Sequence, residues 1–106
     1  MSPDVVVQEA VRRLVDAAHP LKVILFGSYA RRASNVDSDL DFLVIEATVK
    51  NKFKEMVKLR RALHGLGVPI DVLVASQKEV DEWGHLPATA LYWAMKEGRV
   101  VHDAAH

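Results

Sequence analysis

Three short apolar runs constrain most strongly what this 106-residue chain can fold into. They are KVILF at residues 22–26, DLDFLVIE at 39–46 and PIDVLVA at 69–75. A short and almost continuously apolar run is typical of a β-strand that is covered on both of its faces. The sequence therefore predicts a small sheet with helices on both sides.

Segments with a helical spacing of apolar residues surround these strands. Residues 3–18 predict a first helix, 29–33 a short helical segment, 51–64 a third helix and 87–97 a last one. Residues 99–102 predict a brief strand at the edge of the sheet. The inward side of the third helix is expected to consist of Phe53, Met56, Val57 and Leu63.

The resulting order, α-β-α-β-α-β-α-β, predicts an α/β fold of the α+β type, in which helices flank a small mixed sheet. The whole chain, residues 1–106, is expected to form a single domain. A second hydrophobic core would not fit into a chain of this length.

Composition excludes several classes of function. The 14 basic and 14 acidic residues give a formal net charge of zero, so the chain lacks the basic excess that direct nucleic-acid binding favours. The chain contains no cysteine, which excludes disulfides, thiolate nucleophiles and cysteine-type zinc sites. Its beginning does not resemble a signal peptide and no segment is long enough to cross a membrane, so a cytoplasmic location is expected.

Two carboxylates lie at the head of the second strand, and a third lies on the strand that follows. Asp39 and Asp41 are two residues apart, so both share a strand face with Leu43. Asp71 shares a face with Leu73 in the same way. If these strands are neighbours in suitable register, the three carboxylates meet at one end of the sheet and repel one another unless a cation lies between them. Mg²⁺ or Mn²⁺ is expected there, together with a phosphate-bearing substrate; structural salt bridges are the alternative.

The residues after the first strand are suited to hold that phosphate. Gly27 and Ser28 connect the strand to a helical turn, where backbone N–H groups and the Ser28 hydroxyl could bind phosphate oxygens. Arg31 or Arg32 could neutralise the phosphate charge. A Gly-Ser pair after a strand is also a common structural turn. The hypothesis that Gly27 and Ser28 bind phosphate therefore depends on the nearby carboxylates.

Taken together, Gly27-Ser28-Tyr29-Ala30-Arg31 and Ser38-Asp39-Leu40-Asp41 resemble the GSxARG…SDxD signature of the nucleotidyltransferase superfamily related to DNA polymerase beta. The chain is similar to the stand-alone minimal branch of that superfamily, the MNT proteins. The resemblance implies that Asp39 and Asp41 bind the metals and that Asp71 is the third carboxylate, which positions or activates the attacking group. It also implies that Gly27 and Ser28 hold the terminal phosphates of a nucleotide.

The implied reaction is in-line attack on the α-phosphate of a nucleoside triphosphate, with release of pyrophosphate. Minimal members typically pair with a helical HEPN protein as a toxin–antitoxin module. There the MNT protein is an antitoxin that transfers AMP from ATP to a tyrosine of the ribonuclease-type toxin. This chain departs from the signature at Arg32, where the family usually has glycine, which affects either nucleotide binding or the local charge.

Two alternative functions remain open. One is a binding module of the same fold that neutralises its partner by contact, with weak or absent catalysis. The other is a nucleotidyltransferase for a small molecule such as an aminoglycoside, which is less well supported because no second domain is available to form the acceptor pocket.

Three further groups of residues have mainly structural interpretations. The cations of the third helix are interpreted as a solvated face, although they could contact RNA, a nucleotide or an acidic partner: Lys52, Lys54, Lys58, Arg60 and Arg61. The aromatic residues near the last helix are expected to pack in the core and at its edge, or else to form a protein interface in an oligomer or hetero-oligomer: Trp83, Tyr92 and Trp93. The five histidines have no metal-ligand spacing.

Overall fold

The computed structural model describes residues 3–27 and 40–104, which form four strands and four helices. In chain order these are α1 (Pro3–Ala18), β1 (Lys22–Phe26), β2 (Leu40–Glu46), α2 (Lys52–Ala62), β3 (Ile70–Ser76), α3 (Gln77–Trp83), α4 (Ala90–Glu97) and β4 (Arg99–Asp103). The prediction of a small mixed sheet flanked by helices is confirmed. No helix in the described part of the chain is both long and apolar enough to cross a membrane.

The strands form one sheet in the order β3-β2-β1-β4. β2 pairs with β3 in parallel, whereas β1 pairs antiparallel with both β2 and β4. The expected edge strand is therefore present as β4. The short helical segment expected at 29–33 lies outside the described residues.

Alternation along β2 divides the core into two layers. Leu40, Phe42 and Val44 face α1 and α2, and belong to the larger buried cluster. Leu43 and Ile45 face α3 and α4, in a smaller cluster that also contains Ala94 of α4. Because both faces of β2 are covered by helices, its sequence is almost continuously apolar.

α2 turns a different side to the core from the one expected. Leu59 is fully buried, but Phe53, which was expected to point inward, is 75% exposed. At 100° per residue, Phe53 lies about 90° around the helix from the centre of the stripe formed by Met56, Leu59 and Leu63. Val57, also expected to point inward, lies about 130° from that centre and belongs to neither buried cluster. The predictions for Phe53 and Val57 were wrong because these apolar side chains were assigned to the inward side without this angle, whereas those for Met56 and Leu63 are confirmed.

The segment between β3 and α4 also differs from expectation. No helix is predicted from the sequence at 77–83, yet Ser76 and Glu79 form a capping box that starts α3. The last helix begins at Ala90 rather than at Pro87, because the Thr89 side chain accepts a hydrogen bond from the Tyr92 N–H and caps that end.

Two glutamates meet where β2 ends against α2. Burial, followed by hydrogen bonding with the Glu55 carboxylate, raises the pKa of Glu46 to about 7. Burial opposes ionisation of Glu55, but hydrogen bonds from Glu46 and Lys58 lower its pKa overall. Lys58 Nζ lies 3.0 Å from Glu55 Oε2. The pair is therefore accommodated best when Glu46 carries a proton.

We predict that Glu46→Gln removes a pH dependence of stability. Because the pKa of Glu46 is raised on folding from 4.5 to about 7, its contribution is complete below pH 4.5 and is lost as the pH rises toward 7. The free energy of unfolding, measured with urea at pH 5 and pH 8, should fall less in Glu46→Gln than in the wild type. The matched control is Glu82→Gln on α3, which should behave as the wild type. The same change in the free energy of unfolding between pH 5 and pH 8 in all three proteins would contradict the prediction.

Candidate functional site

The end of β1 and the start of β2 meet at Gly27 and Asp41. Phe26 is the register partner of Asp41, and Gly27 follows with a φ of 82°. A Cβ added at Gly27 would overlap Asp41 Oδ2, and it would lie 3.2 Å from Asp41 Cγ. Glycine is therefore needed here for two reasons: the left-handed backbone and the space taken by the Asp41 carboxylate.

Asp41 and Asp71 are paired directly across the parallel strands β2 and β3. Neighbouring strands are about 4.8 Å apart, and paired residues of parallel strands project from the same face. Asp41 is on the strand face of Leu43, and Asp71 is on that of Leu73, the face covered by α3 and α4. The expectation that the two strands would be neighbours in suitable register is confirmed for this pair of carboxylates.

Arg60 of α2 reaches round the edge of the sheet to Asp71. Its Nη2 donates a hydrogen bond of 3.1 Å to Asp71 Oδ1. Both side chains are largely exposed, with 53% of Arg60 and 65% of Asp71 accessible to solvent. An exposed pair of this kind contributes little to stability, but it places one positive charge beside two neighbouring carboxylates.

Other residues predicted for the site lie outside the described part of the chain: Ser28, Arg31, Arg32 and Asp39. Their roles in holding phosphate and metal therefore remain predictions from the sequence. Leu40, which directly follows Asp39, is described: its N–H donates to the Pro69 carbonyl oxygen at 3.0 Å, where β2 begins beside β3. This contact lies at the same end of the strands as Asp41 and Asp71.

The donors present at this end fit a hard divalent cation. Asp41 and Asp71 supply carboxylate oxygens from one face, and such oxygens are the preferred ligands of Mg²⁺ and Mn²⁺. Gly27 leaves room for the Asp41 carboxylate beside the backbone. Within residues 3–27 and 40–104, no group of three or more potential metal-binding side chains occurs.

Sequence reasoning missed the contribution of α2 to this site. It interpreted the cations of α2 as a solvated face, and all five are indeed exposed. Lys58 pairs with Glu55, Lys52 with Glu79, and Arg60 with Asp71. The pairing of Arg60 could have been found only from the position of α2 against the β3 edge, which helical spacing alone does not give.

The aromatic residues around α4 pack against one another at the surface. Tyr92 and Trp93 form an edge-to-face pair with ring centroids 5.1 Å apart, and Lys96 Nζ lies 5.5 Å from the Tyr92 centroid. Trp93 Nε1 donates to the Pro87 carbonyl oxygen at 2.8 Å. Trp83 and Trp93 remain about half exposed and belong to neither buried cluster, so the prediction of core packing was wrong for them. An interface role stays a prediction.

We predict that Gly27→Ala destabilises the chain more than Gly65→Ala. Both glycines have a positive φ, so each alanine should cost about 1–2 kcal/mol in the free energy of unfolding. Nothing lies within 4 Å of a Cβ at Gly65, whereas the one at Gly27 meets Asp41. Gly27→Ala should therefore cost about 1 kcal/mol more, as measured by urea denaturation.

A double-mutant cycle with Asp41→Ala separates the contact from the backbone strain. The extra cost of Gly27→Ala should disappear in the Asp41→Ala background, because the carboxylate that it displaces is gone. Costs that simply add, or equal costs at Gly27 and Gly65, would show that the Asp41 carboxylate does not need the space at Gly27.

Two solved structures share this fold. A protein from Sulfolobus solfataricus assigned as a nucleotidyltransferase superposes with a TM-score of 0.66 at 22% identity, covering 94% of this chain and 79% of that one. A toxin-antitoxin solved with AMP-PNP superposes with a TM-score of 0.56 at 20% identity, covering 91% of this chain and 72% of that one. At these identities the likeness concerns the fold. No curated protein sequence matches the chain.

The family comparison covers almost the whole chain. Residues 8–105 match the model of the family described as Polymerase beta, Nucleotidyltransferase. The matched region includes Gly27-Ser28, Asp39-Leu40-Asp41 and Asp71. On this match, the chain belongs to the Polymerase beta nucleotidyltransferase family.

Proposed function

We propose that this chain is a Mg²⁺- or Mn²⁺-dependent nucleotidyltransferase that transfers AMP from ATP to a protein, and that it acts as the antitoxin of a HEPN-type toxin. The observation that carries this proposal is the direct pairing of Asp41 with Asp71 at one end of the sheet. The chain belongs to the nucleotidyltransferase family, which supports the same conclusion. The shared fold with a toxin-antitoxin solved with AMP-PNP supports the choice of nucleotide and partner.

Each residue has a distinct role in the proposed site. Asp39, Asp41 and Asp71 would hold the divalent cation, and Gly27, Ser28 and Arg31 would bind the phosphates of ATP. The chemistry that such a cation supplies is stabilisation of negative charge on the attacking and leaving oxygens. Arg32, which replaces the usual family glycine, adds a positive charge beside Arg31.

The proposed reaction is a substitution at phosphorus. A hydroxyl oxygen of the acceptor forms a bond to the α-phosphorus of ATP, and the bond from that phosphorus to the oxygen bridging to the β-phosphorus breaks. Pyrophosphate leaves with the electron pair, and the hydroxyl proton passes to a carboxylate. Asp71 is suited to accept it or to orient the hydroxyl, because its side chain is 65% exposed and can be reached by a protein acceptor.

A contact-only antitoxin of the same fold is the second candidate. The observation that favours it is Arg32, since the additional side chain stands where the family signature has glycine. This candidate requires partner binding but no transfer of AMP.

Transfer of labelled AMP tests the proposal directly. The chain is incubated with α-labelled ATP, Mg²⁺ and the protein encoded by the neighbouring gene, and the label on each protein is followed by gel electrophoresis. We expect label on the partner, and loss of that label with Asp39→Asn/Asp41→Asn, because the amides keep the shape of the carboxylates but not their charge. Asp81→Asn on α3 is the matched control and should transfer AMP normally.

Neutralisation of the partner distinguishes the two candidates. If the partner is a toxin, the Asp39→Asn/Asp41→Asn chain should fail to protect cells that express it. Full protection by that variant, with no label transferred by the wild type, would contradict the enzyme and support the contact-only antitoxin.

A further inference from the structure

The outer side of α2 carries an apolar centre flanked by cations. Phe53 is 75% exposed, and Val57 follows it one turn later on the same side of the helix. Together with three cations they line a groove of about 370 Å³; the cations are Lys54, Lys58 and Arg61. We refer to these five residues as the α2 outer surface.

The charge of this surface is not balanced by the described part of the chain. Lys58 pairs with Glu55, but no ion pair with an acid of residues 3–27 or 40–104 is formed by Lys54 or Arg61. The chain as a whole has a net charge of zero, so the positive charge is a local property of α2. A partner that binds here gains most if it supplies carboxylates.

The α2 outer surface continues toward the candidate site. A second groove, of about 450 Å³, shares Val57 and Arg61 with the first and extends to Arg60 and His64. Arg60 in turn donates to Asp71. From Phe53 to Arg60 the helix rises about 10.5 Å at 1.5 Å per residue, a distance that an extended peptide spans in about three residues.

We propose that the α2 outer surface docks an acidic segment of the protein acceptor, placing the acceptor hydroxyl at Asp71. The segment has an apolar side chain for the groove between Phe53 and Val57, and carboxylates for Lys54 and Arg61. Its apolar anchor lies more than three residues from the acceptor hydroxyl, because the helix from Phe53 to Arg60 alone corresponds to about three extended residues and Asp71 lies beyond Arg60. This inference rests on the proposed transfer of AMP to a protein.

A protein segment fits this surface better than a nucleic acid does. The centre is apolar and the rim is charged, which is the usual arrangement of a protein–protein interface. Non-specific binding of nucleic acid depends on many phosphate contacts, whereas this surface offers three cations, of which Lys58 is already paired.

Partner affinity tests the docking surface without ATP. Isothermal titration of the full chain with the protein encoded by the neighbouring gene is compared for the wild type, Phe53→Ser and Arg61→Glu. We expect each variant to weaken binding about tenfold or more, because one loses the apolar anchor and the other reverses a charge. Val100→Ser, which changes another exposed apolar residue, and Lys78→Glu, which makes the same charge change on α3, should bind as the wild type does.

Several results would overturn the proposal. One is partner binding with wild-type affinity in both α2 variants, or no partner binding by the wild type. Another is that the variants lose affinity only for a single-stranded RNA oligonucleotide and not for the partner. A third is that the wild type is a dimer in solution and Phe53→Ser is a monomer. The affinity of the chain for AMP-PNP with Mg²⁺ should stay unchanged in both variants. Failure of AMP transfer together with the expected loss of partner affinity in both variants would contradict the proposed enzyme and the placement of a hydroxyl at Asp71, but it would support the α2 outer surface as the site of partner binding.

Discussion

The parallel pairing of β2 with β3 determines where the two described carboxylates of the candidate site lie. The register runs without a break from Leu40 beside Ile70 to Glu46 beside Ser76. It places Asp41 next to Asp71 on one face, ahead of the apolar residues that anchor both strands in the core. A slip of one residue would send one carboxylate to the opposite face, among the side chains packed against α1 and α2. Burial of the strands on both faces therefore sets the register, and the register sets the positions of Asp41 and Asp71.

α2 links the two ends of this strand pair and supplies a cation at each. At one end Lys58 lies beside Glu55, whose neighbour Glu46 has a pKa raised to about 7 mainly by burial. At the other end Arg60 lies beside Asp71, where both side chains are largely exposed. The pair of Glu46 and Glu55 is accommodated when Glu46 carries a proton. The pair of Arg60 and Asp71 is open to solvent, so both side chains are accessible to other molecules.

The strands could be predicted from the sequence because strands that are buried on both faces contain almost no polar residues. The predicted range 22–26 has the same bounds as β1. α3 was missed because it is short and its signal is a capping box, in which Ser76 and Glu79 bond reciprocally, rather than an apolar stripe. Phe53 was misplaced because the direction of a side chain on α2 depends on how the helix rests on the sheet. The pairing of Asp41 with Asp71 could be stated from the sequence only as a condition, since register depends on contacts between distant segments.

We propose that Asp41 and Asp71 hold a divalent cation together. Titration of Mn²⁺ into the chain without nucleotide or partner, with free Mn²⁺ followed by electron paramagnetic resonance, measures this binding directly. We expect weaker binding in Asp41→Asn and in Asp71→Asn, and wild-type binding in Asp81→Asn, which removes an exposed carboxylate of α3. Equal Mn²⁺ affinity in all four proteins would contradict it.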